Sequence, residues 1–360
     1  MRSKIIRLVK PYKFEEQTQV YKKKKGWSYV KPTLGSICAA DMRYYTGKRR
    51  PEALKKKLPM ALLHEGIGRV VESESLKKDT RVVIVPSIPG YIHSPEKFPS
   101  PEKCCRACRH GEIGENHCEN IHFLSSGYDG LTQSTIQHPD PCLIQIPDDV
   151  PDEIAVLSEL STVAYTGAKK LKLLDKDEKI AVFGDGPVGY IVAVVLRFTK
   201  SIKRNNLYVV GTDDEKLKKF EDFAHTINIR KRAIPSNLRF GNLFECVGGI
   251  YSEEAINTII DVAEPGAWIY LFGVSELFVP VNTRDILEKG LRLIGISRSS
   301  RFEYPIILEY MREPEMQRLL KRVIINRVFR IKSAKELTEA FDFAAAHRIW
   351  GKIYVRLEIS

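Results

Sequence analysis

A glycine-rich turn with the spacing GxGxxG joins two apolar segments, KIAVFG before it and a longer stretch after it. The first glycine, Gly184, permits a tight turn, and the second, Gly186, lets an anionic ligand approach the backbone. The third, Gly189, lets a helix and a strand pack closely, and the N-terminus of that helix attracts phosphate charge. We therefore predict that the pyrophosphate of a dinucleotide binds at Gly184, Gly186, Pro187, Val188 and Gly189.

An acidic residue ends the next segment with strand character, NLYVVG. Asp213 follows it, close to the distance at which dinucleotide-binding proteins place a carboxylate for the adenosine ribose hydroxyls. Because a carboxylate repels a 2′-phosphate, Asp213 favours NAD(H) over NADP(H). The nearby Lys216 could serve such a phosphate, so both coenzymes stay open at this point.

Three places in the chain supply candidate ligands for a catalytic metal ion. Cys38 ends a predicted strand, His64 and Glu65 follow the apolar run LPMALL, and Glu159 lies in LSELSTV. One thiolate, one imidazole and one or two carboxylates, with one coordination position left open, suit a catalytic zinc ion. Each residue alone also fits an ordinary structural role, so the prediction depends on all of them acting together.

Four of the seven cysteines are crowded into one segment that follows a proline-rich loop. They are Cys104, Cys105, Cys108 and Cys118. In a cytoplasmic protein such crowding indicates a metal site rather than disulfides. A bound ion would also order the long loop that precedes the cysteines.

The chain that positions these residues has 360 residues, enough for two domains of ordinary size. Its 43% hydrophobic and 28% charged residues are typical of a folded globular protein. The most apolar stretch, Ile180 to Phe198, is interrupted by Asp185 and Arg197, and the N-terminal segment lacks the apolar run of a signal peptide. We therefore expect a cytoplasmic protein without a membrane partner.

A formal net charge of +12 raises the question of nucleic-acid binding. The lysine runs at 22–25 and 55–57 are not interleaved with aromatic residues. They are more typical of solvated loops, and a basic surface also attracts a phosphorylated metabolite. We expect a small-molecule substrate and no nucleic acid.

The sequence divides into two parts with different residue patterns. Residues 1 to about 150 contain short β-branched runs between turns, which predicts a β-rich domain. From about residue 153 strand and helix patterns alternate, which predicts an α/β domain with a doubly wound parallel sheet. The last strand pattern, KIYVRLEI, resembles the β-rich pattern of the first 150 residues. We therefore predict a domain of residues 1–158 and 298–360, with a dinucleotide-binding domain of residues 159–297 inserted into it.

These motifs together resemble the zinc-dependent medium-chain dehydrogenase/reductases along nearly the whole chain. The resemblance rests on SICAAD, LLHEGIGRVV, CRACRHG, ENHC, SSGYDG, GDGPVG, FECVGG and LFGVSE. Within that superfamily the chain looks most like the ribulose-5-phosphate reductases, or ribitol-5-phosphate dehydrogenases, of CDP-ribitol synthesis, through ICAADMRYYTGKR, LPMALLHEG, FLSSGYDG and VNTRDILEKGLRLIGISRSS. The resemblance implies a GroES-like β-rich catalytic domain, a Rossmann domain, and the reversible reduction of D-ribulose 5-phosphate to D-ribitol 5-phosphate.

The resemblance also implies roles for single residues. Cys38, His64 and Glu159 resemble the zinc ligands, and Asp41 resembles the carboxylate that orients the histidine. Glu65 resembles the glutamate that either supports these ligands from outside or exchanges with them. Ala40 stands where many alcohol dehydrogenases carry a hydroxyl relay, so we expect the proton path to use Glu65 and water. The resemblance further implies that Arg43 binds the substrate phosphate and that Tyr45 contacts the sugar hydroxyls. Arg298 is expected to bind a phosphate of the coenzyme or of the substrate. The residues expected to face the nicotinamide are Cys246, Val247, Gly248, Gly273 and Val274.

The structural-zinc lobe departs from the family pattern, which has four cysteines with the first three spaced by two residues. Cys105, Cys108 and Cys118 fit three of those positions, but Glu102 occupies the first one. Either Glu102 or the neighbouring Cys104 could supply the first ligand. The resemblance further implies a homodimer or homotetramer. Two alternatives stay open: a dehydrogenase for another polyol or sugar, with a sorbitol-like or threonine-like substrate, and a non-catalytic binding protein on the same fold.

Overall fold

The computed structural model describes residues 1–175, 177–347 and 349–360. The strands are β1 (Arg2–Lys10), β2 (Lys13–Val20), β3 (Trp27–Ser36), β4 (Met60–Ala61), β5 (Glu65–Glu72), β6 (Arg81–Ile84), β7 (Ser87–Ile88), β8 (His122–Phe123), β9 (Ile136–Pro139), β10 (Leu143–Gln145), β11 (Ile180–Phe183), β12 (Leu207–Gly211), β13 (His225–Asn228), β14 (Phe240–Glu245), β15 (Ala263–Leu271), β16 (Arg292–Gly295), β17 (Ile324–Ile331) and β18 (Lys352–Leu357).

The helices are α1 (Ala39–Tyr45), α2 (Pro51–Lys57), α3 (Gly90–His93), α4 (Arg106–Arg109), α5 (Asp152–Ala155), α6 (Ser158–Ala168), α7 (Pro187–Thr199), α8 (Asp214–Leu217), α9 (Ser252–Val262), α10 (Thr283–Lys289), α11 (Glu303–Tyr310), α12 (Pro314–Lys321) and α13 (Ala334–Ala346). Single 3₁₀ turns lie at Pro101–Lys103, Glu115–His117, Asp140–Cys142, Arg204–Asn206 and Gly249–Tyr251. Among the described residues no helix is both long and apolar enough to cross a bilayer.

The chain divides into two compact units, one of Met1–Thr162 with Arg298–Ser360 and one of Val163–Ser297. The division at 162/163 falls inside α6, four residues after the boundary expected from the sequence at 158/159. The return to the first unit lies at 297/298.

The first unit is built on β-sheets. A seven-stranded sheet has the order β10-β6-β5-β3-β18-β17, with β9 paired to β3, and a three-stranded sheet has the order β2-β1-β4. The C-terminal strand β18 pairs antiparallel with β3, so the two ends of the chain share one sheet. The apolar side chains between the sheets and α13 form one core, which includes Phe14, Tyr45 and Phe341. The predicted GroES-like β-rich domain is confirmed.

The second unit is a parallel sheet of six strands in the order β13-β12-β11-β14-β15-β16. This order is the one found in dinucleotide-binding domains, and the crevice at its reversal point lies beyond the carboxyl ends of β11 and β14. Strand β11 is completely apolar and buried, as the center of such a sheet requires. The predicted parallel-sheet Rossmann domain is confirmed.

Candidate functional site

The side chains of Cys38, His64 and Glu65 form a cluster in the first unit, with one ligand atom of each within 4.8 Å of the others. Cys38 lies directly before α1, and Glu65 is the first residue of β5. Strand β5 pairs with β3 so that Glu65 is opposite Ser36, two residues before Cys38. The sheet register therefore brings together residues that are distant in sequence.

Asp41 is a buried residue next to this cluster and contacts two of the segments that form it. Its completely buried carboxylate accepts hydrogen bonds from the Cys38 amide at 3.0 Å, the Leu63 amide at 3.2 Å and the Ser125 hydroxyl at 2.6 Å. Oδ1 of Asp41 lies 3.5 Å from Nδ1 of His64. Burial alone raises the pKa of Asp41, but His64, Ser125 and the Cys38 amide together hold that pKa below its ordinary value. Such a carboxylate fixes the orientation of the histidine ring.

The backbone around Asp41 adopts uncommon conformations. Leu63 has φ of 70° and Ser125 has φ of 58°, both in the left-handed region that non-glycine residues seldom occupy. Both residues donate to the same oxygen of Asp41. Strained backbone at two donors to one carboxylate is typical of a functional site, where the surrounding structure maintains the geometry.

His64 is buried against the ring of Phe123, with ring centroids 5.3 Å apart. Burial lowers the pKa of His64, but the Asp41 carboxylate and the Cys38 sulfur outweigh this effect and raise that pKa well above its ordinary value. A thiol, an imidazole and a carboxylate that converge in a buried cluster are a donor set that zinc accepts. The residues present therefore fit a zinc ion.

Glu159 lies outside this close cluster but belongs to its surroundings. It is only 6% exposed, and burial raises the pKa of its carboxyl group to about 7. The charges of His64 and Lys352 lower this pKa, while that of Glu65 raises it, so Glu159 lies within electrostatic reach of all three. The structure thus brings Cys38, His64, Glu65 and Asp41 together and places Glu159 nearby.

Sequence reasoning missed Lys352, the first residue of β18. Its buried ammonium group lies 2.7 Å from both carboxylate oxygens of Glu65. The Ser36 hydroxyl also donates to Glu65, so three neighbouring strands fix that carboxylate. Both oxygens of Glu65 are therefore engaged by protein groups. A lysine in the final strand gives no sequence pattern that would reveal this partner.

The second cysteine cluster contains all four cysteines of the predicted lobe. The sulfur atoms of Cys104, Cys105, Cys108 and Cys118 lie within 4.8 Å of one another. Glu102 is exposed, and its carboxylate accepts a hydrogen bond from Ser100. Of the two first ligands that the sequence left open, the structure therefore places Cys104 and not Glu102 with the other three sulfur atoms. Four converging thiols fit a structural zinc ion.

The glycine-rich turn in the second unit has the packing that its spacing predicts. Gly184 has φ of +126°, and a Cβ on Gly189 would lie 2.0 Å from the Gly184 carbonyl oxygen, so neither position tolerates a side chain. A Cβ on Gly186 would meet no described atom within 4 Å. Pro187 then begins α7, a helix of 13 residues. The open position before a helix N-terminus fits a pyrophosphate group.

Asp185, the variable residue inside this turn, joins it to the end of β12. Its Oδ2 atom accepts the amides of Thr212 at 2.7 Å and Asp213 at 3.0 Å. Asp213 itself caps α8, accepting the amides of Glu215 and Lys216. The ammonium group of Lys216 lies 3.7 Å from Asp213 and 4.0 Å from Asp185. A cation therefore accompanies the carboxylate that was predicted to bind ribose.

Glu245, at the end of β14, organises the residues predicted to face nicotinamide. Its buried carboxylate accepts the amides of Val247 at 2.8 Å, Gly248 at 2.9 Å and Gly273 at 2.8 Å. Next to these amides, Cys246 is buried, and burial raises the pKa of its thiol well above the ordinary value. The sequence analysis missed Glu245, although its place in FECVGG at a strand end was a signal that could have found it. Val274, just after Gly273, is 51% exposed and available to a ligand.

Tyr45 does not lie where the sequence analysis expected it. Its side chain has no exposed surface, its ring stacks on Phe14, and its hydroxyl donates to Asp342 at 2.6 Å. Tyr45 is therefore a core residue, which corrects the predicted contact with sugar hydroxyls. Arg43 is half-buried on α1.

Arg298 lies in the first unit, close to the candidate metal centre. It has φ of 59°, donates to the Asn116 carbonyl at 3.3 Å and has its guanidinium group 5.4 Å from the centroid of the Phe123 ring. His64 also packs on Phe123. Burial lowers the pKa of Arg298 from its usual value.

Comparison with known proteins agrees with this architecture. Residues 24–148 match the family described as the alcohol dehydrogenase GroES-like domain. A galactitol-1-phosphate dehydrogenase from Escherichia coli shares the fold, with a TM-score of 0.78 at 19% identity over 98% of this chain and 99% of that one. The fold and the site thus define a medium-chain dehydrogenase/reductase.

More similar relatives narrow the family. A ribulose-5-phosphate reductase from Bacillus spizizenii is 38% identical over 337 residues, 92% of each chain. Ribulose-5-phosphate reductase 1 from Staphylococcus aureus is 37% identical and covers 99% of each chain. A crystal structure of S. aureus TarJ in complex with NADPH superimposes with a TM-score of 0.81 at 33% identity, over 99% of each chain. The chain belongs to the ribulose-5-phosphate reductase family.

Proposed function

We propose that the protein reduces the carbonyl group of D-ribulose 5-phosphate with a nicotinamide coenzyme, giving D-ribitol 5-phosphate, and that the reaction is reversible. The observation that carries this proposal is the convergence of Cys38, His64 and Glu65 on one point, held by Asp41, in a chain 38% identical to a reductase of that name. The second unit supplies the dinucleotide turn at Gly184–Gly189.

For the metal, we propose a catalytic zinc ion bound by Cys38, His64 and Glu159, with Glu65 as the neighbouring glutamate that supports these ligands. When bound, zinc polarises a carbonyl group and stabilises negative charge on its oxygen. The chain's own residues prepare this site: Asp41 orients the His64 ring, while Lys352 and Ser36 hold Glu65. A second zinc ion is proposed at Cys104, Cys105, Cys108 and Cys118.

During reduction the substrate carbon accepts a hydride from the coenzyme and its oxygen accepts a proton. Because Ala40 carries no hydroxyl group, it supplies no relay directly after Cys38. The sequence predicted Glu65 and water for the proton path, but Lys352 and Ser36 already engage both oxygens of Glu65. We therefore assign Glu65 to positioning and assign proton delivery to water at the mouth of the site.

The coenzyme preference predicted from Asp213 was for NAD(H). One carboxylate oxygen of Asp213 accepts the amides at the start of α8, and the Lys216 ammonium group lies 3.7 Å from the other oxygen. This cation reduces the repulsion that Asp213 would exert on a 2′-phosphate. Since S. aureus TarJ was crystallised with NADPH, we propose that this protein also accepts NADPH.

The cysteines and the sheet edge bear on the cellular compartment and the oligomeric state. None of the seven cysteines is joined in a disulfide, which supports the proposal that the protein works in the reducing cytoplasm. We also propose a homodimer or homotetramer, supported by the edge position of β16 in the six-stranded sheet, where Leu293 is 36% exposed. Sedimentation equilibrium would measure the assembly, and a monomer at micromolar concentration would contradict it.

Initial rates with zinc-replete protein test the proposed function. The substrates are D-ribulose 5-phosphate, D-ribulose, D-fructose and, in the oxidising direction, sorbitol and L-threonine, each with both coenzymes. We expect kcat/KM for D-ribulose 5-phosphate to exceed that for every unphosphorylated compound. Equal or higher activity on an unphosphorylated polyol, or on threonine, would leave the fold in place and overturn the substrate assignment.

A further inference from the structure

Two half-buried cations lie against one buried tyrosine in the segment after α1. The guanidinium group of Arg49 is 4.8 Å from the centroid of the Tyr44 ring, and the ammonium group of Lys57 is 5.8 Å from it. Tyr44 is 1% exposed. The other basic residues of this segment project into solvent; they are Lys48, Arg50, Lys55 and Lys56. The basic residues of this segment therefore form two groups: a half-buried pair, Arg49 and Lys57, and an exposed group in contact with solvent.

Hydroxyl groups connect Lys57 to Tyr44. The ammonium group of Lys57 donates to Ser126 Oγ at 2.8 Å, and that oxygen lies 3.4 Å from the Tyr44 hydroxyl. Tyr44, Arg49, Lys57 and Ser126 together are called the Tyr44 cluster below. It presents two cations and the Ser126 hydroxyl group, which are donors that proteins use for phosphate oxygens. The Tyr44 hydroxyl is buried and positions Ser126.

Lys57 has no carboxylate partner within 4.0 Å in the described part of the chain. By contrast, the buried Lys352 is paired with Glu65. A cation removed from water needs a compensating negative charge, because desolvation is otherwise costly. Its contacts are instead a hydroxyl group and an aromatic face, which leave the charge available to an anionic ligand.

The Tyr44 cluster is connected to the candidate metal centre by adjacent residues. Ser125 donates to Asp41, which orients His64, and the next residue, Ser126, holds Lys57. Consecutive Cα atoms are about 3.8 Å apart, so the two serines link the two sites at short range. Tyr44 also follows Asp41 by three residues on α1, a spacing that places both on one helix face.

The same helical geometry separates Arg43 from this face. With about 100° of rotation per residue, Arg43 projects roughly 200° around the helix from Asp41. Arg43 was the phosphate contact predicted from sequence, and helix geometry favours the Tyr44 cluster over it.

We propose that Lys57 and Arg49, assisted by the hydroxyl group of Ser126, bind the phosphate group of the substrate and determine the preference for a phosphorylated ketose, while the buried Tyr44 positions them. This inference rests on the proposed function. Three carbon atoms separate the carbonyl carbon of ribulose 5-phosphate from its phosphate ester oxygen. The short link through Ser125 and Ser126 matches a substrate whose carbonyl and phosphate groups are only a few bonds apart.

The test compares Lys57→Met and Arg49→Met, which keep the aliphatic stems, with Lys55→Met and Arg50→Met as exposed controls. For the two inner variants we expect KM for D-ribulose 5-phosphate to rise roughly ten- to hundredfold, the effect of losing a hydrogen bond to a charged group. Coenzyme KM and kcat at saturating substrate stay near the wild-type values, and Lys57→Arg restores part of the affinity. Inorganic phosphate, the probe anion, competes with substrate in the wild-type protein and does so more weakly in Lys57→Met.

The outcomes separate the subsite from the proposed function. If wild-type protein shows no preference for D-ribulose 5-phosphate over D-ribulose, the proposed function fails and the subsite with it. If that preference is present but Lys57→Met and Arg49→Met keep the wild-type KM, the subsite alone is overturned. A rise in KM confined to Arg43→Met would also overturn it and return the phosphate to the residue predicted from sequence.

Discussion

The ammonium group of Lys352 lies 2.7 Å from each carboxylate oxygen of Glu65, and the two side chains are only 7% and 1% exposed. The two residues come from strands at opposite ends of the chain, β5 and β18, that flank β3. Desolvation lowers the pKa of Lys352, but the charges of Glu65, Cys38 and Glu159 and the hydrogen bond to Glu65 together outweigh it and raise that pKa above its ordinary value. The C-terminal strand thus anchors a residue of the candidate metal cluster.

We expect Lys352→Met to destabilise the zinc-free protein by about 3–5 kcal/mol, because it leaves the Glu65 carboxylate buried without a countercharge. Urea unfolding in the presence of a chelator measures this change. The control is Lys332→Met, which removes a lysine that is 67% exposed and 3.9 Å from Glu358, and it is expected to cost less than about 1 kcal/mol. In Lys352→Met/Glu65→Gln part of the loss should be recovered. A Lys352→Met protein as stable as wild type would show that the pair contributes nothing.

The zinc ligands are distinguished by Glu159→Gln and Glu65→Gln. If Glu159 binds the metal directly, Glu159→Gln weakens zinc binding by more than the roughly 10–100-fold that loss of a supporting hydrogen bond costs. Glu65→Gln should have the smaller effect, since Lys352 and Ser36 already engage both of its oxygens. Competition with a chromogenic chelator gives both affinities without an activity assay, and near-UV circular dichroism confirms folding. The reverse ranking would assign the metal to Glu65.

The cysteine lobe predicts a change in zinc content. Wild-type protein is expected to bind two zinc ions per chain, and Cys104→Ser to retain only the catalytic one, because its sulfur is one of four that converge. Glu102→Gln is the matched control, since its exposed carboxylate lies outside that cluster. Metal analysis by mass spectrometry after gel filtration gives the stoichiometry. Loss of zinc in Glu102→Gln but not in Cys104→Ser would restore Glu102 as the first ligand.

The alternation of strand and helix patterns was sufficient to predict the inserted parallel-sheet unit, because a parallel strand needs a crossover connection. Residues 214–225 have the composition of one amphipathic helix, and the sequence pattern alone predicts a single helix there. The structure ends that helix at Leu217 and continues in turns that bury Phe220 and Phe223 against Tyr190. Tertiary packing of aromatic side chains outweighed local helix propensity there.

Site residues were predictable where a motif carries the chemistry locally, as in the glycine turn and the cysteine lobe. Residues that act through tertiary contact were not. Lys352 reaches Glu65 only because β18 pairs with β3, and Tyr45 is buried only because Phe14 and Phe341 pack around it. One sequence cannot reveal that both adjacent tyrosines, Tyr44 and Tyr45, are buried, since that depends on how α1 packs against α13.

Coenzyme choice should depend on Lys216. We expect Lys216→Met to lower the ratio of kcat/KM for NADPH to that for NADH by roughly tenfold, because the cation beside Asp213 is lost and repulsion of a 2′-phosphate increases. Lys218→Met is the control, since Lys218 is paired with Glu215 on the exposed side of α8. Initial rates with both coenzymes give the ratio. An unchanged ratio would show that Lys216 takes no part in selecting the coenzyme.

Acid sensitivity should arise partly from His138, which is 1% exposed and lies 2.9 Å from the Val85 carbonyl oxygen through Nε2. Burial lowers the pKa of His138 to about 4, below its value of about 6.5 in the unfolded chain. Between these values the unfolded state binds a proton that the native state does not, so stability is present above pH 6.5 and is lost as the pH falls toward 4.

This one group should therefore remove about 2 kcal/mol of unfolding free energy between pH 7.5 and pH 5.0. In His138→Gln, which keeps a donor for the Val85 carbonyl, the loss over that interval should be smaller by the same amount. Urea unfolding at both pH values, with chelator present throughout so that zinc release does not contribute, measures the difference. The exposed His347→Gln serves as the control and should keep the wild-type dependence. If His138→Gln also keeps it, His138 is protonated in the native state at pH 5.0, and its burial does not exclude the charge.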